Sequence, residues 1–330
     1  MPIRPMQLPS DLLPLGEMLV QTFQYPENPE WGVQDDEQED IAQTVRGLKR
    51  FWPILRLLQV ISPPMRDMFR GFVWEQDDQI VAAVLFNRRG ATDDWTVGTV
   101  GVLPGFRRRG LARRLLEHSL AYIRSRSARR VTLGVIDRNV PAYALYRSLG
   151  FEAYGKSLEY EMTPAAPPQT LSLPPAFEER PLARLDWRPK FELERRLTPE
   201  SVARYETLDE GRFRPPPFAW LFVPFLRIIQ ARREQEFQLR EQASGRLVGR
   251  YHYNYSTKNQ GICSITVRAD TDDANLAPYM ISRGLHAVTT ANPGRRVEIM
   301  IRDWMPNLAE AAEAAGFTRR KVYDLLGLVL

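Results

Sequence analysis

Six residues, Arg107-Arg108-Arg109-Gly110-Leu111-Ala112, join two stretches of opposite character, and their types suit the capture of an anion. Residues 95–102, WTVGTVGV, alternate and are β-branched, as a strand requires. After Gly110 the apolar positions Leu111, Leu115, Leu116 and Leu120 recur at helical spacing. The first turn of a helix has backbone N–H groups without partners, and the helix dipole puts partial positive charge there. Gly110 and Ala112 leave room for close approach to that backbone, while Arg107, Arg108, Arg109, Arg113 and Arg114 add full charges. Such a junction suits a pyrophosphate. An ordinary strand-to-helix turn with a solvated basic face has the same spacing.

The next segment, 129–155, reads as a strand to about Ile136, a loop, a helix and a stop at Gly150 before Phe151. The loop pattern Arg107-x-x-Gly110-x-Ala112 is followed by Asn139-x-x-Ala142-x-x-Leu145-Tyr146-x-x-x-Gly150-Phe151. This pairing resembles the GNAT superfamily of N-acetyltransferases, over roughly residues 1–162 and most specifically over 95–155.

The resemblance implies acyl transfer from acetyl-CoA to a primary amine. The loop from Arg107 through Arg113 would cradle the cofactor pyrophosphate, and Val100, Gly101 and Val102 would pair their backbone with the pantetheine arm. Asn139 would support the cofactor, and Tyr146 would protonate the departing thiolate as general acid. Backbone N–H groups would polarise the thioester carbonyl. Read without the resemblance, Tyr146 is an ordinary core tyrosine on a helix. Many family members have a glutamate on the strand before the loop, but 95–102 has no acidic residue. Glu75 is the expected substitute base, with Asp93 and Asp94 as alternatives and a plain hairpin charge as the simpler reading of each. A CoA-binding sensor or scaffold without activity is the alternative function.

Composition bounds the rest. A chain of 330 residues with 44% hydrophobic and 26% charged residues is expected to form two globular domains. The one cysteine, Cys263, excludes an intrachain disulfide framework and reads as a buried structural thiol in a strand. The three histidines, His118, His252 and His286, are scattered without metal-ligand spacing, so no metal is expected. Net charge is +5, and without a nucleic-acid-binding motif the basic patch is assigned to the cofactor rather than to nucleic acid. The acidic run at 35–40, DDEQED, reads as a solvated loop. Neither a signal peptide nor a membrane span is expected, and a cytoplasmic location follows by default. Residues 218–229, FAWLFVPFLRII, read as a helix or loop over a core, with a substrate lid or a homodimer contact as alternatives.

The chain also repeats itself. Residues 129–151 align without a gap to 295–317, and the hairpin at 72–84 resembles 237–250. A Pro-rich stretch lies between the copies. The expected organisation is therefore a catalytic domain at 1–162, a linker at 163–178 and a degenerate second domain at 179–330. Each is expected to be an α/β (α+β) fold, a mixed, mostly antiparallel twisted sheet flanked by helices. In the second copy Asn139 corresponds to Met305 and Tyr146 to Ala312. Its loop region holds Asp270, Asp272 and Asp273 and no glycine, which would repel a pyrophosphate. The second copy is expected to wall the acceptor site, with Tyr251, Tyr253 and Tyr255 sharing one face of a strand.

Overall fold

The structure, a computed structural model, describes residues 2–25, 28–61, 66–215, 231–270 and 276–330. The chain divides into two compact units. The first comprises Met1–Tyr154, Arg204–Thr207 and Asp324–Leu330. Its elements run β1 (Ile3–Pro5), α1 (Leu12–Thr22), α2 (Asp35–Arg50), α3 (Trp52–Ile61), β2 (Arg70–Gln76), β3 (Gln79–Arg88), β4 (Asp94–Val102), α4 (Leu111–Ser125), β5 (Arg130–Ile136) and α5 (Val140–Ser148). Strands β1 to β4 are antiparallel neighbours, and β5 joins β4 in parallel after the α4 crossover. Phe72, Phe86 and Trp95 turn toward Tyr122 of α4, whereas Gly101 turns toward Leu19 and Thr22 of α1. The two helices therefore cover opposite faces of the sheet. Trp95, Leu115, Leu116 and Ile123 are fully buried on the α4 side.

The acidic run at 35–40 is not a loop. It opens α2, where the backbone N–H of Gln34 donates to Glu37 Oε2 at 2.6 Å as half of a capping box. Acidic side chains in a first turn face the positive end of the helix dipole, which is why the run is helical.

The second unit comprises Gly155–Ala203 and Leu208–Tyr323. It contains β7 (Phe177–Pro181), α6 (Arg188–Leu197), β8 (Arg232–Glu241), β9 (Leu247–Ser256), β10 (Cys263–Ala269), α7 (Leu276–Ala291), β11 (Val297–Arg302) and α8 (Pro306–Ala314). Strands β7 to β10 are antiparallel and β10–β11 is parallel, the order of the first unit again. Each unit is thus a mixed, mostly antiparallel sheet flanked by helices.

The units depart from the sequence boundaries at 162 and 179. Strand β6 (Glu152–Met162) pairs with β11 of the second unit, antiparallel through Ile299↔Tyr160. Strand β12 (Thr318–Val329) lies beside β5, and the N–H of Leu330 donates to Arg129 O at 2.9 Å. Each unit therefore takes its closing strand from the other copy's sequence. Strand β6 ends at Met162 and β7 begins at Phe177, so β7 takes the last two residues of the stretch read as a linker, Phe177 and Glu178. That stretch lies along α7, where Leu171 N–H donates to Ser282 Oγ and His286 Nδ1 meets Pro168 O at 2.8 Å. The stretch 218–229 and Asp272 and Asp273 lie outside the described residues.

Candidate active site

Strand β4 is irregular where chemistry was expected. Leu85 pairs with Thr99 and Phe86 with Val97, so Gly98 is an extra residue, a β-bulge. Pairing of β4 with β5 covers only Asp94–Val97 against Arg130–Leu133, although both strands continue. The strands part from Gly98 onward, and the sheet has an opening there.

Beside that opening is a pocket of about 480 Å3. Val100 and Val102 of β4 line it, with Arg107, Arg108, Gly110, Leu111, Ala112 and Arg113 from the loop and first turn of α4. Positive φ angles at Arg108 (63°) and Gly110 (77°) turn the loop so that backbone N–H groups precede the N-terminus of α4. A left-handed turn of this kind directly before a positive helix end suits an anion. Arg107 is tied down: it donates to Thr22 O at 2.8 Å and to Val102 O at 3.3 Å, and its guanidinium lies 5.8 Å from the Tyr25 ring centroid. Arg113 donates to Ser148 Oγ at 2.6 Å.

The far wall comes from α5. Asn139 caps that helix, its Oδ1 accepting from the Ala142 N–H at 3.3 Å. Tyr146, about two helical turns further along, is 7% exposed and packs edge-on against Phe151 at 6.1 Å. Among the described residues none hydrogen-bonds to its hydroxyl. Burial pushes the Tyr146 hydroxyl well above the ordinary tyrosine range, and the neighbouring Tyr25 adds to the shift. Tyr25 is likewise raised by burial, with Arg107 pulling it back.

The structure does not bring all the expected residues here. Gly101 faces α1, where added bulk would meet Thr22 Cγ2 at 3.2 Å. Arg109 folds back on the loop, donating to Gly105 O and stacking 5.0 Å from the Phe106 ring. Glu75 is outside the pocket: on β2 it pairs with Arg4, which also holds Asp11 at 2.7 Å. Asp93 pairs with Arg88 at 2.8 Å, and Asp94 begins β4, about 20 Å of strand from Val100 at about 3.3 Å per residue. Tyr25 and Thr22, which line the pocket, were not expected, because nothing in the local pattern of α1 points to β4.

In the second unit the corresponding positions are filled with core. Met305 and Ala312 are 2% and 0% exposed, and Met305 gives α8 no side-chain cap. Asp270 is held by Arg246 at 3.0 Å and Arg196 at 3.1 Å. Strand β10 pairs with β9 in unbroken register, without a counterpart of the Gly98 bulge. Cys263 is buried in β10, and Tyr251 donates to Glu179 at 2.7 Å. Among the described residues no helix is long and apolar enough to cross a membrane.

Residues 35–151 match the model of the acetyltransferase (GNAT) family. They form a GNAT acetyltransferase domain. The matched span contains the bulge, the loop, Asn139 and Tyr146, so the GNAT domain carries the pocket just described. The chain is 39% identical over 75 residues to the ribosomal protein bS18-alanine N-acetyltransferase of Salmonella typhimurium, covering 23% of this chain and 49% of that protein. It is 41% identical over 78 residues to the mycothiol acetyltransferase of Thermobifida fusca, covering 23% of this chain and 24% of that one. The matches thus span about half and about a quarter of these relatives' lengths. A tandem GNAT protein from the clavulanic acid biosynthesis pathway superposes over 99% of this chain and 98% of its own, with a TM-score of 0.67 at 16% identity. The whole chain has the tandem GNAT fold.

Proposed function

We propose that the chain is an N-acetyltransferase that moves an acetyl group from acetyl-CoA to a primary amine of a small molecule or peptide. The observation that carries this reading is the meeting of Tyr146 with the anion loop in one pocket beside the β4–β5 opening. The lining suits CoA: Val100 and Val102 offer an apolar strand end for a pantetheine arm, and the turn at Arg108 and Gly110 offers N–H groups for a pyrophosphate. CoA supplies an activated thioester when bound.

The chain's own residues would do the following. Arg107, Arg108, Arg113 and the first turn of α4 hold the phosphates, and Asn139 keeps α5 in place beside them. The β4 backbone beyond the bulge orients the thioester and polarises its carbonyl. Tyr146 stays protonated and donates to the sulfur. A carbon–nitrogen bond forms, the carbon–sulfur bond breaks, and the proton lost by nitrogen balances the one gained by sulfur. No carboxylate lines the pocket among the described residues, so the amine must arrive neutral or lose its proton elsewhere.

That same lack favours a second reading, a CoA-binding sensor or scaffold. Calorimetric titration of acetyl-CoA into the full chain and into Arg108→Glu/Gly110→Asp, followed by thiol release with a panel of amines, separates the two. One site per chain, lost in the variant, with amine-dependent thiol release supports the enzyme. Binding without release supports the sensor. No binding removes both.

A further inference from the structure

A second pocket, about 320 Å3, lies in the same unit between α1, α2, β3 and β4. Its walls are almost wholly aliphatic, including Leu12, Leu15, Leu19, Ile41, Val45 and Leu85. Two glycines keep it open. Gly16 sits mid-way along α1, where glycine is a poor helix former, and added bulk there would meet Val45 Cγ2 at 3.5 Å. Gly98 is the bulged residue of β4, and no described atom lies within 4 Å of the space its side chain would first enter.

The pocket adjoins the place where transfer would occur. Gly98 borders it, while Val100, two residues or about 7 Å along the strand, borders the proposed donor pocket. Helix α1 lines both, through Leu19 in one and Thr22 in the other. The strands part between these two points, so a group attached to a thioester at the opening has a short route to the apolar space.

We propose that this pocket takes the aliphatic chain of a longer acyl-CoA, so that the chain transfers medium-length acyl groups as well as acetyl. The inference rests on the donor-site reading above. An acyl tail asks only for apolar surface, whereas an amine needs a polar partner. The only polar side chains lining the pocket among the described residues are Arg70, already paired with Asp67 at 3.0 Å, and Asn87. Neither offers a carboxylate to an ammonium. The bond changes are those of acetyl transfer: the amine nitrogen takes the acyl carbon, and CoA leaves as the thiol.

The test compares acetyl-CoA and octanoyl-CoA by calorimetry on the full chain, on Gly16→Leu and on Val45→Phe. Each buried methylene is worth roughly fourfold in affinity, so octanoyl-CoA is expected to bind at least about tenfold tighter than acetyl-CoA. Either variant should abolish that gain while leaving acetyl-CoA affinity within about twofold, which also shows that the variant is folded. If acetyl-CoA binds and octanoyl-CoA binds no tighter, or the gain survives in both variants, the acyl pocket is overturned and the donor site stands. If octylamine competes for the pocket while acyl selectivity is absent, the occupant is the acceptor, and the proposal is wrong. If neither thioester binds, the donor reading falls first and the acyl pocket with it.

Discussion

Val81 on β3 and Val248 on β9 hold the same position in two copies of one fold. Trp74 pairs with Ala82 and Glu75 with Ile80, which leaves Val81 as the extra residue. Leu239 pairs with Gly249 and Arg240 with Leu247, which leaves Val248. An irregularity reproduced this closely marks a shared architecture. The bulge at Gly98 is not reproduced, since Ile265 and Thr266 pair with Tyr253 and His252 in sequence. The first irregularity therefore belongs to the shared fold, and the second, beside the end of the β4–β5 pairing, is found in the first unit alone. Deleting Gly98 should leave a folded chain with a cooperative melt and reduce acetyl-CoA affinity at least about tenfold. Full affinity in the deletion, measured by calorimetry, would dissociate the bulge from donor binding.

Tyr146→Phe removes a hydroxyl that has no hydrogen-bond partner among the described residues. Stability should change by less than about 1 kcal/mol, because no intramolecular bond is lost. Turnover should fall about 100-fold, the lower range for a lost general acid, with acetyl-CoA affinity unchanged. Equal turnover in the two proteins would end the general-acid assignment.

Glu75→Gln tests the residue first expected as base. Its partner is Arg4, with both side chains partly exposed, so the loss of stability should be about 1 kcal/mol or less. Turnover should remain within about twofold, since Glu75 is not in the pocket. A large fall in turnover, with a shifted acid limb in the pH profile, would restore it as the base.

Gly110 adopts φ of 77° with open space where a side chain would begin, so its need for glycine is one of backbone conformation. Gly110→Ala should cost about 1 kcal/mol of stability, and Gly110→Asn less, because asparagine tolerates the left-handed region. Thermal melts of the two variants give the order. The reverse order would show that the loop conformation does not matter.

Several buried tyrosines should set the alkaline limit of stability. Tyr160 and Tyr279 are each pushed up to about 12, chiefly by burial and then by donating to Glu313 and Glu179. Tyr146 and Tyr251 are raised further for the same leading reason. Unfolded tyrosine ionises near 10 while the folded groups keep their protons, so stability is retained below about pH 10 and lost as pH rises toward 12. The urea midpoint should be level between pH 8 and 9.5 and fall by pH 11. A midpoint that holds to pH 11 would contradict this.

The turn at 107–110 and helix α5 were legible because their constraints are local. Glycine at a positive φ, asparagine at a cap and the stop at Gly150 each leave a mark in the sequence. The repeat was legible for the same reason: buried positions in the two copies keep the same spacing. The Gly98 bulge was not, since a glycine in a β-branched run looks the same whether or not its partner strand skips a residue. Arg109 could not be told from Arg107 and Arg108 by type, yet only its neighbours line the pocket. Tyr25 was missed because it reaches the pocket through tertiary packing from the end of α1.

The exchange of β6 and β12 has a consequence for inheritance and for synthesis. Residues 324–330 complete the sheet that holds the candidate active site, so that sheet is finished only after the second copy has been synthesised. Neither copy's own sequence supplies every strand of its unit. The two copies are therefore inherited as one piece, because each sheet is closed by a strand of the other copy's sequence.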